Sequence, residues 1–102
     1  MIPSTCYARR MIKSFRNRDT EELANNKYVK QFDSIKDSAR KKLEILKAAK
    51  GLEDLAAVPG NRLEALLGKR KGQYSIRINE QYRVCFIVES DGFVDVEIAD
   101  YH

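Results

Sequence analysis

The sequence predicts one α+β domain, in which an N-terminal strand and two helices pack on an antiparallel sheet. Two observations carry this prediction. Apolar residues recur at helical spacing in the first half of the chain, and they alternate with polar residues after residue 61. Helices followed by a run of strands are typical of α+β domains with the helices on one sheet face. At 102 residues, the chain has the size of a single domain.

The first elements are a short strand and a short helix. Residues 11–16 are expected to form the strand. Residues 1–10 are expected to be a separable, flexible extension, and Met11 is a candidate for the biological start. Asp19 or Thr20 is expected to cap the helix, because short polar side chains accept hydrogen bonds from the first free N–H groups of a helix.

A second, longer helix is predicted from four apolar residues that recur at spacings of four, four and three. These residues are Ile35, Ala39, Leu43 and Leu46. Asp33 or Ser34 is expected to cap this helix, and Gly51 is expected to end it. Residues 52–58 are interpreted as a connector that a turn at residues 59–61 ends.

Every later segment is interpreted as β structure. The predicted strands cover residues 62–66, 74–78, 82–88 and 94–98. A basic loop at residues 68–72 separates the first two strands, and Asp91-Gly92 is a strong hairpin signal before the last one. Polar residues that alternate with the apolar set are expected on the other sheet face, which is where function would lie.

Positive charge is concentrated in one part of the chain. The net charge is +4, and six basic against two acidic residues between positions 62 and 83 give the same excess. The basic residues are Arg62, Lys69, Arg70, Lys71, Arg77 and Arg83, and the acidic ones are Glu64 and Glu80. Such a surface favours an anionic partner, either nucleic acid or an acidic protein segment. The alternative is a solvated loop with charged strand-face residues.

The composition argues against several other classes of protein. No apolar run approaches the roughly 20 residues of a membrane helix. Cys6 and Cys85 make no disulfide scaffold, and reduced thiols fit a cytoplasmic protein. No Cys/His cluster has metal-ligand spacing and no Gly-rich phosphate loop occurs, so we expect no cofactor.

Three side chains suited to proton transfer end the sequence. Strand alternation would place Asp100 and His102 on one face and Tyr101 on the other. Carboxylate, imidazole and phenol are groups that acid–base catalysis uses, although a frayed polar terminus is the alternative. Arg77 and Arg83, on strands joined by a tight turn, can both reach one phosphate because each offers a planar charged fork.

Five segments occur in a fixed order between residues 11 and 102. They are MIKSF (11–15), PGNRLEAL (59–66), GQYSIRI (72–78), QYRVCF (81–86) and EIADYH (97–102). Together they resemble HigB-type toxins, the plasmid-maintenance killer-protein branch of the RelE-like toxins of toxin–antitoxin systems. The resemblance covers residues 11–102, which we therefore interpret as the toxin domain.

The resemblance implies a RelE-like, microbial-ribonuclease-like fold and ribosome-dependent cleavage of messenger RNA. It also implies neutralisation by a cognate HigA-like helix-turn-helix antitoxin, with operator DNA contacted only through the toxin–antitoxin complex. In the family, the terminal Asp-Tyr-His and an arginine of the central strands act on RNA, and these correspond to Asp100, Tyr101, His102 and Arg83. The expected RNA-binding residues are Arg62, Lys69, Arg70, Lys71 and Arg77.

The expected reaction needs no metal. The RNA 2′-hydroxyl attacks the adjacent phosphate and leaves a 2′,3′-cyclic phosphate and a 5′-hydroxyl. His102 is the natural acid or base, Asp100 would orient it, and Tyr101 would stack on a base or bind a phosphate. Arg83, with Arg77 in support, would stabilise the charge on the phosphate. The residues alone do not assign acid and base individually.

The sequence departs from the family at two positions. Some family members carry a histidine and a lysine before the basic loop, where this chain has Glu64 and Leu67. That departure favours a non-catalytic ribosome- or RNA-binding inhibitor as an alternative, or an altered substrate preference. A ParE-like toxin directed at gyrase is a second alternative, against which the terminal Asp-Tyr-His argues.

Overall fold

A computed structural model of the protein describes residues 12–100, and within them three α-helices pack on one face of a four-stranded sheet. The helices are α1 (Arg18–Ala24), α2 (Lys36–Ala48) and α3 (Leu52–Ala56). The strands are β1 (Glu64–Ala65), β2 (Tyr74–Arg77), β3 (Tyr82–Glu89) and β4 (Gly92–Asp100). Short 3-10 helices cover Lys30–Ile35 and Gly68–Arg70. The predicted α+β class is confirmed, while the extension at residues 1–10, Met11, Tyr101 and His102 lie outside the described residues.

The sheet is an antiparallel meander in the order β1-β2-β3-β4. The hairpin predicted at Asp91-Gly92 is confirmed, since Glu89 pairs with Gly92 across a loop of two residues. Register shifts between Cys85 and Ile87, where β4 carries an extra residue opposite β3. Asp95 lies in this β-bulge with a φ of 54°, a left-handed conformation that a short polar side chain tolerates.

The predicted first strand is reduced to two isolated bridges. Ile12 and Phe15 pair in parallel with Phe93 and Val96 of β4. The bulge explains the interruption, because the Asp95 N–H turns to the side chain of Ser14 and donates to its Oγ at 2.9 Å. The segment nevertheless covers the outer edge of β4, and Ile12 and Phe15 pack against the core.

The predicted caps of both helices were wrong. Asn17 caps α1, since its side chain accepts from the backbone N–H of Thr20 at 2.9 Å. The Thr20 hydroxyl is buried and accepts from the N–H of Ile98 at 3.0 Å, so it ties α1 to β4 instead. Asp33 and Ser34 lie inside the 3-10 helix that leads directly into α2, and no side chain caps α2.

The end of α2 and the following connector also differ from the prediction. The helix ends at Ala48, and Gly51 occupies the N-cap position of α3. Residues 52–58, interpreted as a connector, therefore contain a helical turn. The reason is burial, because this turn places Leu55 in the core with 0% exposure.

The core lies between the helices and the sheet. The four apolar positions predicted for α2 are all buried, which confirms its helical spacing. They face Ile76, Val84 and Phe86 of the central strands. The Phe86 ring meets Phe93 edge-on with centroids 5.1 Å apart. Each such side chain contributes roughly 1.5–3 kcal/mol on burial. The helices thus occupy one sheet face, and the other face carries polar residues together with a small apolar cluster.

Candidate active site

The sheet face opposite the helices carries the candidate site. Strand register places Arg83 opposite Arg77 and Ala99, and Cys85 opposite Ser75 and Glu97. Because side chains alternate along a strand, these residues share one face while Ile76, Val84 and Phe86 enter the core on the other. We call Ser75, Arg77, Arg83, Cys85 and Glu97 the polar face. The predicted placement of Ser75, Arg77 and Arg83 opposite the apolar set is confirmed.

Arg83 is the most constrained charged group on the polar face, with only 8% of its surface exposed. Its Nε donates to Ser75 Oγ at 2.6 Å, and its Nη2 donates to the backbone carbonyl of Arg62 at 2.6 Å. Glu64 Oε1 lies 3.6 Å from the same Nη2. A guanidinium stays charged at any physiological pH, so these contacts orient a permanent positive charge.

Glu64 is a candidate that the sequence interpretation undervalued. In sequence it is only an acidic residue where some family members carry another side chain, but its carboxylate lies beside Arg83 and is 56% exposed. Because the carboxylate is exposed and lies beside the guanidinium that would hold a phosphate, it is placed where it can accept a proton from a bound substrate. The sequence offered no signal for this contact, because it depends on strand register, which pairs Glu64 with Ser75, the residue that contacts Arg83.

The basic loop is partly held by the fold itself. Arg70 Nη1 donates to Gln73 Oε1 and to Glu97 Oε1, both at 3.1 Å. Arg16 Nε lies 3.7 Å from the same Glu97 oxygen. Arg70 is therefore bound into the polar face, whereas Lys69 and Lys71 are exposed on either side of it. Of the other predicted RNA-binding residues, Arg62 is exposed and Arg77 is half-buried.

Asp100 does not lie on the polar face. It pairs with Tyr82 at the end of β4, and alternation places it on the helix-bearing side of the sheet. Gln81 Nε2 donates to its Oδ2 at 3.1 Å. The structure therefore brings Arg83, Arg62 and Glu64 together, holds Arg70 of the basic loop on the same face, and places Asp100 on the opposite face from Arg83. The other two terminal candidates, Tyr101 and His102, lie outside the described residues.

Cys85 lies at the centre of the polar face, under Leu66 and Ala99, with which it forms a small apolar cluster. Burial raises the pKa of its thiol, and nearby Glu97 raises that pKa further, while Arg70 and Arg83 act in the opposite direction. Because burial is the largest effect, the thiol keeps its proton at neutral pH and serves packing rather than nucleophilic chemistry.

We expect Cys85 to react with a thiol reagent roughly 100-fold more slowly in the native protein than in denaturant, because a buried group reacts only when the structure opens. The measurement is the labelling rate in a Cys6→Ser background. The raised pKa also implies a stabilising contribution that is present below pH 9.0 and is lost as pH rises above it. Equal labelling rates in native and denatured protein would contradict the conclusion that the Cys85 thiol is buried.

Two further properties concern the described range as a whole. Among residues 12–100, no group of three or more His, Cys, Asp or Glu side chains is placed to hold a metal ion. No helix in the same range is long and apolar enough to span a bilayer.

The sequence matches one protein family over most of its length. A family described as RelE-like toxin of the type II toxin–antitoxin system HigB matches residues 13–102. Toxin HigB-1 of Vibrio cholerae is 53% identical over 53 residues, which are 52% of this chain and 56% of that protein. The chain spans about half the length of the curated relatives that it matches.

Similar folds occur among solved structures. A mutant of YafQ from E. coli superposes with a TM-score of 0.57 at 11% identity, covering 90% of this chain and 93% of that one. The YoeB dimer from Staphylococcus aureus has a TM-score of 0.55 at 22% identity, covering 93% of this chain and 99% of that one. At these identities the likeness concerns the fold alone.

Proposed function

The chain belongs to the RelE-like toxins of the HigB type, from type II toxin–antitoxin systems, and from this premise we propose that it inhibits translation by cleaving messenger RNA on the ribosome. One observation supports this function best. A buried guanidinium, held at both its Nε and its Nη2 atoms, lies beside an exposed carboxylate on an open sheet face bordered by lysines.

The reaction that this arrangement suits is a transesterification, in which the phosphate of the RNA backbone is transferred from the 5′-oxygen to the neighbouring 2′-oxygen. A base removes the 2′-OH proton, the 2′-oxygen attacks the phosphate, and the bond to the 5′-oxygen breaks as an acid protonates it. The products are a 2′,3′-cyclic phosphate and a 5′-hydroxyl. Negative charge grows on the phosphate in the transition state, and a fixed guanidinium stabilises it without reorganising.

The acid and base come from the groups nearest Arg83 and from the chain terminus. Glu64 is an exposed carboxylate whose Oε1 lies 3.6 Å from Arg83 Nη2, beside the position proposed for the phosphate, and it is therefore the candidate base. His102 is the candidate acid, with Tyr101 as a stacking or phosphate-binding group. Asp100, on the helix side of the sheet, would act on the terminal residues rather than on the phosphate. We propose that these side chains carry the proton transfers without a metal.

The same proposal names partners. Membership of a toxin–antitoxin family implies a cognate antitoxin, for which we propose a HigA-like helix-turn-helix protein that alone contacts operator DNA. The other partners are the ribosome and its bound messenger RNA, which is the substrate, so the toxin would act in the cytoplasm. The exposed lysines of the basic loop would contact RNA backbone.

The test is primer extension on a reporter message during coupled translation. Untagged wild-type protein is compared with His102→Gln and Glu64→Gln. New 5′ ends within codons for the wild type, and their loss in the variants, would support the nuclease and its acid–base pair. Translation arrest with full-length message would instead support a non-catalytic ribosome-binding inhibitor. DNA damage with intact message would support a gyrase-directed toxin.

We expect Lys69→Gln and Lys71→Gln to weaken ribosome binding in a salt-dependent way. Each lost phosphate contact makes the negative slope of log affinity against log salt shallower by about 0.7 for single-stranded RNA. Binding would be titrated at several salt concentrations, with Lys50→Gln as a control of equal charge change at an exposed lysine between α2 and α3. An equal change of slope in all three variants would contradict a specific role for the basic loop.

A further inference from the structure

We infer that Asn61 is a positioning residue that orients Arg83 for the reaction through the backbone of its neighbour Arg62. This inference rests on the proposed nuclease function for its catalytic consequence. Its structural part, a mechanical connection from α2 to the polar face, is independent of that function and can be measured separately.

Asn61 is a buried polar residue that joins three elements, with only 1% of its surface exposed. Its Nδ2 donates to the Leu55 carbonyl of α3 at 3.0 Å, and its Oδ1 accepts from Lys42 Nζ of α2 at 2.6 Å. Its backbone carbonyl accepts from the N–H of Arg77 at the end of β2, also at 2.6 Å. A side chain satisfied in this way fixes the chain at its position, because breaking any contact leaves a buried polar atom unpaired.

The backbone of the next residue, Arg62, connects Asn61 to Arg83. Arg62 has a φ of 48°, a left-handed conformation that costs a non-glycine residue energy and persists only where its surroundings impose it. In this conformation the Arg62 carbonyl accepts from Arg83 Nη2 at 2.6 Å. The turn at Asn61 thus aims a backbone oxygen at the guanidinium.

The Arg62 carbonyl oxygen gives Arg83 a second hydrogen bond, which Ser75 alone does not provide. Ser75 Oγ holds Arg83 only at Nε, and a planar group held at one atom can still swing about it. The second contact, at Nη2, fixes the orientation of the fork. Orientation matters because a displacement of about 1 Å in a catalytic group can cost about 100-fold in rate.

Lys42 allows the connection to be tested from outside the site. Its ammonium group contacts Asn61 from α2, on the helix side of the sheet, and it is half-buried. The adjacent Lys41 is exposed on the same helix. Lys42→Met and Lys41→Met therefore remove the same charge from neighbouring positions, while only the first removes the contact with Asn61.

The experiment compares these two variants and Asn61→Ala with the wild type in two measurements. The first is the single-turnover rate of messenger RNA cleavage together with ribosome affinity. The second is the rate of rotation about the Nε–Cζ bond of Arg83, measured by NMR of its Nη atoms. We expect Lys42→Met and Asn61→Ala to lower the cleavage rate by about 10-fold or more with little change in affinity. Rotation about the Nε–Cζ bond of Arg83 should also be faster in both variants, whereas Lys41→Met should have the cleavage and rotation rates of the wild type.

Wild-type cleavage and rotation rates in Lys42→Met would overturn the inference, whether or not Asn61→Ala folds. A loss of affinity equal to the loss of rate would also overturn it, because a positioning residue acts on the chemical step. Absence of cleavage by the wild type would instead refute the proposed function. The rotation measurement would then still decide whether Lys42 and Asn61 control Arg83.

Discussion

Replacement of Arg83 by lysine is expected to lower the rate of messenger RNA cleavage by about 100- to 1000-fold, the usual effect of removing a preorganised charge-stabilising donor. Lysine keeps the positive charge but has a single ammonium group in place of the planar guanidinium. It cannot donate to Ser75 Oγ and the Arg62 carbonyl in the geometry that Arg83 uses. The buried Ser75 hydroxyl and the Arg62 carbonyl would each lose a donor, so we also expect a stability loss of about 1–3 kcal/mol.

The rate would be measured by single-turnover cleavage on programmed ribosomes, with thermal unfolding of the same samples. Arg77→Lys is the matched control, because Arg77 pairs with Arg83 across β2 and β3 but is only half-buried. We expect it to lose less than about 10-fold in rate. Equal losses in the two variants, or full activity of Arg83→Lys, would show that charge on this face matters and the orientation of Arg83 does not.

Truncation of Phe86 to alanine is expected to destabilise the fold by about 3–5 kcal/mol, the cost of a large cavity in a packed core. Phe86 is fully buried on the helix side of β3. Its ring packs edge-on with Phe93, and it lies against Tyr74 with centroids 6.5 Å apart. The loss would be a large fraction of the free energy of unfolding of a typical domain, which is roughly 5–15 kcal/mol.

Urea unfolding followed by circular dichroism measures this effect. Leu67→Ala serves as the control, since Leu67 is also a large apolar residue but is 82% exposed. Its substitution should change stability by no more than about 0.5 kcal/mol. A small loss for Phe86→Ala would mean that the core between α2 and the sheet collapses around the cavity.

Periodicity predicted α2 and strands β2, β3 and β4 but not their ends, and it missed α3. The spacing of Ile35, Ala39, Leu43 and Leu46 requires only that one helix face be apolar, a property of nearby residues. Helix ends depend on competing partners. Thr20 was available as a cap, but its hydroxyl binds the N–H of Ile98 on a strand 78 positions away. Such competition is invisible without the tertiary structure.

The candidate site divides in the same way. Alternation correctly placed Arg83 and Ser75 on the face away from the core, and the charge pattern identified the basic loop. It did not reveal that Arg70 would bind Glu97, 27 positions later, and so be less available than Lys69 and Lys71. Equally, a side-chain role was predicted for Arg62, whereas the structure adds a role for its backbone carbonyl.

By itself, the sequence determined the class of fold, the apolar face of α2 and the sheet face that points away from the core, because these follow from patterns between neighbours along the chain. The tertiary structure alone decided which groups meet. Arg83 on β3 reaches past Ser75 on β2 to Glu64 of β1 and to the carbonyl of Arg62, 21 positions earlier. Strand register and a left-handed turn made that meeting possible, and both depend on the packing of the whole domain.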